Sequence, residues 1–160
     1  MKTMMAITIG LALTAAQAGR ESNPAFEQLK KLEGAWESTD KDGTKVTYKV
    51  ASNGSALLET MLHPKASEML TVYHLDGGEL VLTHYCSLGN QPHMQAQKDA
   101  KAGTLRFACV GGANVKCDAD MHMHGVVLTF VDADHLKQEW TMVEGGKEKM
   151  VVPISLVRAK

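Results

Sequence analysis

The chain has 160 residues, a formal net charge of −1 at pH 7 and 44% hydrophobic residues. A charge so close to neutral provides no basic surface, so neither a nucleic-acid partner nor an anionic membrane surface is expected. The length suits one folded domain around a single hydrophobic core. The three cysteines include no Cys-x-x-Cys pair, which argues against a zinc ribbon and against a thioredoxin-like redox centre.

The N-terminal residues have the pattern of an export signal. Lys2 gives a short basic start, an uncharged apolar run covers residues 4–16, and the small-x-small sequence AQA ends at Ala18. The run is too short to span a bilayer comfortably, and no second stretch of membrane length follows, so no membrane span is expected. We predict a signal peptide over residues 1–18, a single domain over residues 19–160, and a periplasmic or secreted location.

One convincing helix follows, in the stretch NPAFEQLKKLEG. Asn23 is a typical N-cap residue, and Pro24 suits the first helical position. Phe26 and Leu29 recur at helical spacing, and Gly34 stands where a helix commonly stops. We predict a short helix that must bury its apolar stripe on another element, because so short a helix is not stable alone.

After Gly34 the hydrophobic pattern changes to a period of two. The stretch KVTYKVAS alternates cleanly, and Asn53-Gly54 is a strong hairpin signal before the next apolar run. About nine or ten short strands follow, joined mostly by tight turns. This pattern predicts an all-β fold: an antiparallel meander closed as a β-barrel, with the short N-terminal helix capping one end. A β-sandwich is the alternative.

The stretch LEGAWES, residues 32–38, carries a resemblance to a known group of proteins. A short helix leading into Gly34-Ala35-Trp36 at the start of the first strand resembles the calycins, which include lipocalins and nitrobindin-like proteins. In lipocalins this tryptophan closes one end of the barrel and a late arginine packs across it. The resemblance implies these roles for Trp36 and for Arg158 in the last strand.

A second stretch, LTHYCSLGNQPHM at residues 82–94, is similar to one found in secreted bacterial proteins with lipocalin-like barrels. The family implies an interior cavity for an apolar or flat ligand. Nitrobindin-like relatives hold haem through a histidine late in the chain. This sequence has no histidine after His135, so the family's haem ligand has no counterpart here.

Strand alternation predicts which side chains face the barrel interior. In MHMHGVVLTFV the larger apolar residues Leu128 and Phe130 share a face with His122 and His124, which we therefore expect inside, near the barrel mouth. Metal binding is an alternative for these imidazoles. Two histidines at i and i+2 on a strand need a third ligand from elsewhere, however, and the spacing matches no strong zinc pattern.

The hairpin around Asp76-Gly77-Gly78 has two possible registers. A three-residue turn places His74 and His84 on the inner face with Leu82, and we prefer it because it separates apolar from polar residues better. A two-residue Gly-Gly turn would instead place Thr71 and Tyr73 beside Leu82 and His84. A slip of one residue moves every side chain to the opposite face.

The cysteines suggest two further arrangements. Cys109 and Cys117 flank a glycine-containing loop, and a disulfide between them is plausible in an exported protein. Cys86 is expected to be a small buried apolar residue. His84 lies two positions before it on the same face, so a Cys86/His84 dyad is the alternative.

These observations predict an exported barrel that binds a small hydrophobic or amphipathic ligand in its interior. The alternatives are metal or haem binding through the interior histidines, and a barrel filled with side chains. No catalytic residue, metal ligand or cofactor is assigned, an enzyme is less expected than a binding protein, and the oligomeric state is not determined. The predicted ligand-binding residues are Tyr48, His74, Leu82, His84, Phe107, His122, His124, Leu128 and Trp140.

Overall fold

The computed structural model describes residues 22–160, so the signal peptide predicted over residues 1–18 lies outside the described part. One α-helix and ten β-strands follow one another in this region. They are α1 (Pro24–Lys30), β1 (Gly34–Ser38), β2 (Lys45–Ala51), β3 (Ala56–Leu62), β4 (Met69–Asp76), β5 (Glu79–Tyr85), β6 (Gln91–Ala96), β7 (Thr104–Ala113), β8 (His122–Phe130), β9 (His135–Glu144) and β10 (Lys147–Arg158).

The strands form a closed antiparallel barrel. Each strand pairs with the next one in the chain, and β1 pairs with β10 to close the sheet, with Trp36 opposite Arg158. The prediction of an all-β meander closed as a barrel is therefore confirmed, and the sandwich is excluded. No helix within residues 22–160 is long and apolar enough to cross a membrane.

Helix α1 begins as the sequence predicts. The side chain of Asn23 accepts hydrogen bonds from the backbone N–H groups of Ala25 and Phe26, at 2.9 and 3.2 Å. The helix ends earlier than expected, at Lys30, and Gly34 is the first residue of β1 instead of the helix stop. With only seven residues, the helix depends on tertiary packing, which its buried residues Phe26 and Leu29 provide.

Helix α1 and Trp36 close one end of the barrel. The Trp36 side chain is buried, and its indole Nε1–H donates a hydrogen bond to the Leu32 carbonyl at 2.8 Å. The Arg158 guanidinium lies 4.4 Å from the centre of the Trp36 ring and donates to the carbonyls of Lys31 and Glu33. Trp36 and Arg158 thus pack together at this end of the barrel.

Gly34 is required at this end for two reasons. Its φ of +128° lies where L side chains are strained, and a Cβ at this position would lie 3.0 Å from Nη1 of Arg158. The glycine therefore allows the guanidinium to approach the backbone closely enough to cover Trp36.

The β4–β5 hairpin adopts the register that the sequence argument rejected. Asp76 pairs with Glu79 across a two-residue turn, so Tyr73 lies opposite Leu82, and His74 lies on the other face. The prediction of a three-residue turn is wrong. Both turn glycines have positive φ, which allows the tight turn whose twist matches that of the paired strands.

Strand β8 contains a β-bulge that simple alternation does not anticipate. Met123 pairs with Met142 and Gly125 pairs with Thr141, so His124 is an extra residue between these two pairs. The extra residue shifts the inward and outward alternation by one position. The side chain that reaches the barrel interior before Val126 is therefore that of Met123.

Side chains fill the middle of the barrel and its helix-capped end. The largest fully buried ones come from β1 to β10 and from α1, and they form one continuous core cluster. These buried side chains are Trp36, Tyr48, Tyr73, Phe107, Leu29, Leu57, Leu80, Leu82, Met94, Leu128, Leu136 and Leu156.

Candidate functional site

A cavity of about 200 Å³ opens at the end of the barrel opposite helix α1. Its walls come from the β1–β2 and β3–β4 loops and from six strands, β3, β4, β5, β8, β9 and β10. Most of the lining is apolar. The lining residues are Asp42, Thr44, Met61, His63, Ala66, Met69, His84, Met123, Trp140, Val152, Pro153 and Ile154.

His84 is the main polar group on the inner wall of this cavity. Its side chain is 3% exposed, and its Nδ1 lies 3.0 Å from the Thr71 hydroxyl. The ring is packed against Trp140, with 4.6 Å between ring centres. Its Nε2 is buried and has no hydrogen-bond partner among residues 22–160. An unpaired buried polar atom costs roughly 1–3 kcal/mol, so a ligand that pairs with Nε2 would recover this energy.

The imidazole of His84 is uncharged at neutral pH. Burial lowers its pKa from 6.5 to about 4, because the charged form loses its hydration. A neutral imidazole carries one N–H and one lone pair. The Thr71 hydroxyl can donate or accept, so Nε2 can accept from a ligand hydroxyl or donate to a ligand carbonyl.

A closed polar network lies on the barrel axis below Trp140. The carboxylate of Glu59 accepts hydrogen bonds from the Tyr73 hydroxyl at 2.7 Å and from Nε2 of Gln138 at 3.1 Å. Gln138 also donates to the Tyr48 hydroxyl and accepts from the Trp140 indole N–H. Burial raises the pKa of Glu59, although its hydrogen bonds from Tyr73 and Gln138 act in the opposite direction. Through the bond from its indole N–H to Gln138, the network holds Trp140, which lines the cavity.

Asp42 places an ionised carboxylate at the rim of the cavity. Asp42 is exposed, and the backbone N–H of Thr44 donates to its carboxylate at 2.8 Å. This hydrogen bond lowers the pKa of Asp42 below its ordinary value of 3.8. The rim therefore carries a negative charge at neutral pH, which disfavours the entry of anions.

The structure separates the predicted ligand-binding residues into three groups. His84 and Trp140 line the mouth cavity. Four others are buried deeper in the packed core and do not line this cavity: Tyr48, Leu82, Phe107 and Leu128. Three histidines lie elsewhere: His74, His122 and His124.

The prediction that these three histidines face the barrel interior is wrong, for two different reasons. His74 is opposite Val81 on the outer side of the sheet, because the hairpin turn has two residues and not three. His124 is the extra residue of the β8 bulge, and His122 precedes it. The bulge reverses the side of the sheet that residues before it face, so His122 does not share a face with Leu128. His124 lines an outer groove, while His122 is fully buried beside Cys109 and Cys117.

Sequence reasoning missed several important contacts. Thr71, the partner of His84, was assigned to the outer face by the incorrect register. Strict alternation from Leu128 would place Met123 on the outer face, and the bulge turns it inward. Gly125 is the local signal of the bulge, because a Cβ there would lie 2.8 Å from the Phe107 carbonyl. Cys86 is buried as expected, and no hydrogen bond joins it to His84 in the described part of the chain.

No model of a known protein family matches the chain, and no curated protein matches it significantly.

Proposed function

We propose that this protein is an exported, lipocalin-like barrel that binds a small, neutral, mostly apolar molecule in its mouth cavity. His84 would supply the polar contact to that molecule. Two observations carry the proposal: His84 lines an apolar cavity, and its buried Nε2 has no hydrogen-bond partner among residues 22–160.

The size of the cavity limits the ligand. Drug-sized molecules occupy pockets of roughly 300–1,000 Å³, whereas an engineered apolar cavity of roughly 150 Å³ binds benzene. A cavity of about 200 Å³ therefore suits a single substituted ring or a short aliphatic chain. Burial of apolar ligand surface would provide most of the affinity, at roughly 25 cal/mol per Å² before ordering costs.

The charges favour a neutral ligand. His84 is uncharged at neutral pH because burial lowers its pKa, so it offers a carboxylate no ion pair. The ionised Asp42 at the rim adds repulsion. A phenol, an alcohol or a ketone can satisfy Nε2 with one hydrogen bond and bury its apolar part.

Two features support the lipocalin-like and exported parts of the proposal. The packing of Arg158 over Trp36 is the arrangement that the resemblance to lipocalins implies. The apolar run at residues 4–16 followed by the AQA sequence is typical of a cleaved signal peptide. Secretion of a tagged full-length chain, with the mature N-terminus read by mass spectrometry, would test export.

The binding test compares phenol, benzene and benzoate as probes. Chemical-shift changes in ¹H–¹⁵N spectra should map phenol to the residues around Trp140, with benzene weaker and benzoate weakest. His84→Leu should lower the affinity for phenol about tenfold, the equivalent of about 1.4 kcal/mol, and leave that for benzene nearly unchanged. The matched control is His93→Gln, since His93 is exposed and contacts Thr83 on the outer face.

A second variant tests the cavity itself. Val152→Phe places a larger side chain in the cavity lining and should abolish binding of both phenol and benzene while the fold is retained. The proposal would be wrong if none of the three probes shifted the residues around Trp140, or if Val152→Phe left phenol binding unchanged.

The alternative of a metal or haem held by several interior imidazoles has less support. Of the four histidines predicted to face the interior, His84 alone lines the mouth cavity. A metal or haem in the mouth cavity could therefore be bound by only one of these four histidines.

A further inference from the structure

The chemical groups of Cys109, Cys117 and His122 come together outside the mouth cavity. One ligand atom from each of these three residues lies within 4.8 Å of the other two, and the two sulfur atoms are 2.9 Å apart. Cys109 is on β7 and Cys117 is in the β7–β8 loop, while His122 is the first residue of β8. They meet where β7 and β8 separate beyond the Ala108–Gly125 pair.

From this geometry we propose that Cys109, Cys117 and His122 form a binding site for a thiophilic metal ion of the zinc class. Two thiolates and an imidazole are ligands that Zn²⁺ prefers. The site differs from the proposed ligand cavity in position and chemistry, so either proposal can fail without the other.

The orientation of His122 favours ligation through Nε2. Its Nδ1 lies 2.8 Å from the Asp120 carbonyl oxygen, which can only accept a hydrogen bond, so Nδ1 carries the proton. This leaves Nε2 unprotonated and able to bind an ion, and an N–H held by a backbone carbonyl is the usual support for a metal-binding histidine. Nε2 now accepts from Nδ1 of His124 at 3.0 Å, a bond that His124 must release when an ion binds.

The loop that carries Cys117 is held in place by its own hydrogen bonds. The backbone N–H of Lys116 donates to the Asp120 carboxylate at 2.8 Å, and the N–H of Gly145 donates to the Ala119 carbonyl. In a tetrahedral site with Zn–S distances near 2.3 Å, two sulfur atoms lie roughly 3.7 Å apart, so the thiols need to separate by about 1 Å. A loop end can make this movement more easily than a strand centre.

The His122 imidazole distinguishes a metal site from a simple disulfide. A disulfide would use the two thiols alone, and the fully buried His122 imidazole beside them would keep only its hydrogen bonds to Asp120 and His124. A metal ion uses all three groups, and its binding to two thiols releases two protons: M²⁺ + 2 RSH → M(SR)₂ + 2 H⁺. Because both thiols must lose a proton to bind the ion, metal affinity should increase with pH.

The test is a titration of the reduced protein with Co²⁺ under anaerobic conditions. We expect a thiolate-to-cobalt charge-transfer band in the near ultraviolet and intense visible bands of a four-coordinate ion, saturating at one equivalent and bleached by Zn²⁺. Cys117→Ser and His122→Gln should each weaken binding at least tenfold. Cys86→Ser is the matched control, because it removes the third thiol and should change nothing.

A second measurement avoids dependence on how well the variants fold. One equivalent of Zn²⁺ should protect Cys109 and Cys117 of the wild-type protein from alkylation, read peptide by peptide, with Cys86 as the internal reference. The proposal is overturned if Co²⁺ gives no charge-transfer band, if Cys117→Ser leaves the band intact, or if Cys109 and Cys117 remain joined as a disulfide after treatment with a thiol reductant.

Discussion

The two ends of the barrel differ in how completely their groups are paired. At the helix-capped end, the Trp36 indole and the Arg158 guanidinium both have hydrogen-bond acceptors, and buried side chains fill the barrel interior beneath the helix. At the open end, a cavity of about 200 Å³ remains, and Nε2 of His84 has no hydrogen-bond partner in the described residues 22–160. The closed end therefore contributes mainly to stability, while the open end keeps space and an unpaired polar atom, which are the properties of a binding site.

The largest expected effect of a substitution is at the closed end. Trp36→Ala should lower the free energy of unfolding by about 3–5 kcal/mol, because it empties a packed site between α1 and the barrel. Met123→Ala, at the open end, should cost less than about 2 kcal/mol, because Met123 is only partly buried and already borders a cavity. Denaturant unfolding of both variants measures the contrast, and equal losses would show that the two ends are packed alike.

The next effect is a pH dependence that originates at the open end. The pKa of His84 is about 4 in the folded protein and 6.5 when the side chain is exposed in the unfolded chain. Between these two pH values the unfolded chain therefore binds a proton that the folded protein does not. Stability is therefore full above pH 6.5 and is lost as the pH falls towards 4, by roughly 3 kcal/mol for this group.

The measurement compares the unfolding free energies of the wild type and His84→Gln at pH 7 and pH 4. Groups that titrate in both proteins cancel in the difference between them. The wild type should lose roughly 3 kcal/mol more than the variant over this interval. The same loss in both proteins would mean that His84 is not the group responsible.

The smallest of the three effects concerns the cover over Trp36. Arg158→Met keeps an apolar stem against the indole but removes the guanidinium and its bonds to backbone carbonyls, which should cost about 2 kcal/mol. Arg106→Met is the control: Arg106 is exposed, pairs with Asp99 at 3.5 Å, and should contribute less than about 0.5 kcal/mol. Thermal or denaturant unfolding distinguishes the two, and similar small losses would indicate that the cover over Trp36 contributes little.

The sequence predicted the fold more accurately than the site. Asn23 caps the helix as expected, and the period-two runs with their turn signals became a closed meander of ten strands. These features depend on short-range chemistry, such as a side-chain cap or the preference of glycine for turns. The signal peptide over residues 1–18 lies outside the described residues and stays a prediction.

The site was harder to predict because it depends on register. One residue fewer in the turn after Asp76 moved His74 outward and gave His84 its partner Thr71. One extra residue at His124 moved Met123 into the cavity. In both cases the local pattern allowed two arrangements, and the choice between them came from packing across neighbouring strands.

By itself, the sequence determined an all-β antiparallel meander with a short capped helix, because alternation, turn residues and the N-cap act over a few neighbouring positions. The pairing of β1 with β10 decided for the barrel over the sandwich. Only the tertiary structure decided which histidine lines the cavity and which one lies beside the two thiols. Those positions follow from strand pairings between distant residues, where a shift of one residue reverses the side of the sheet that each side chain faces.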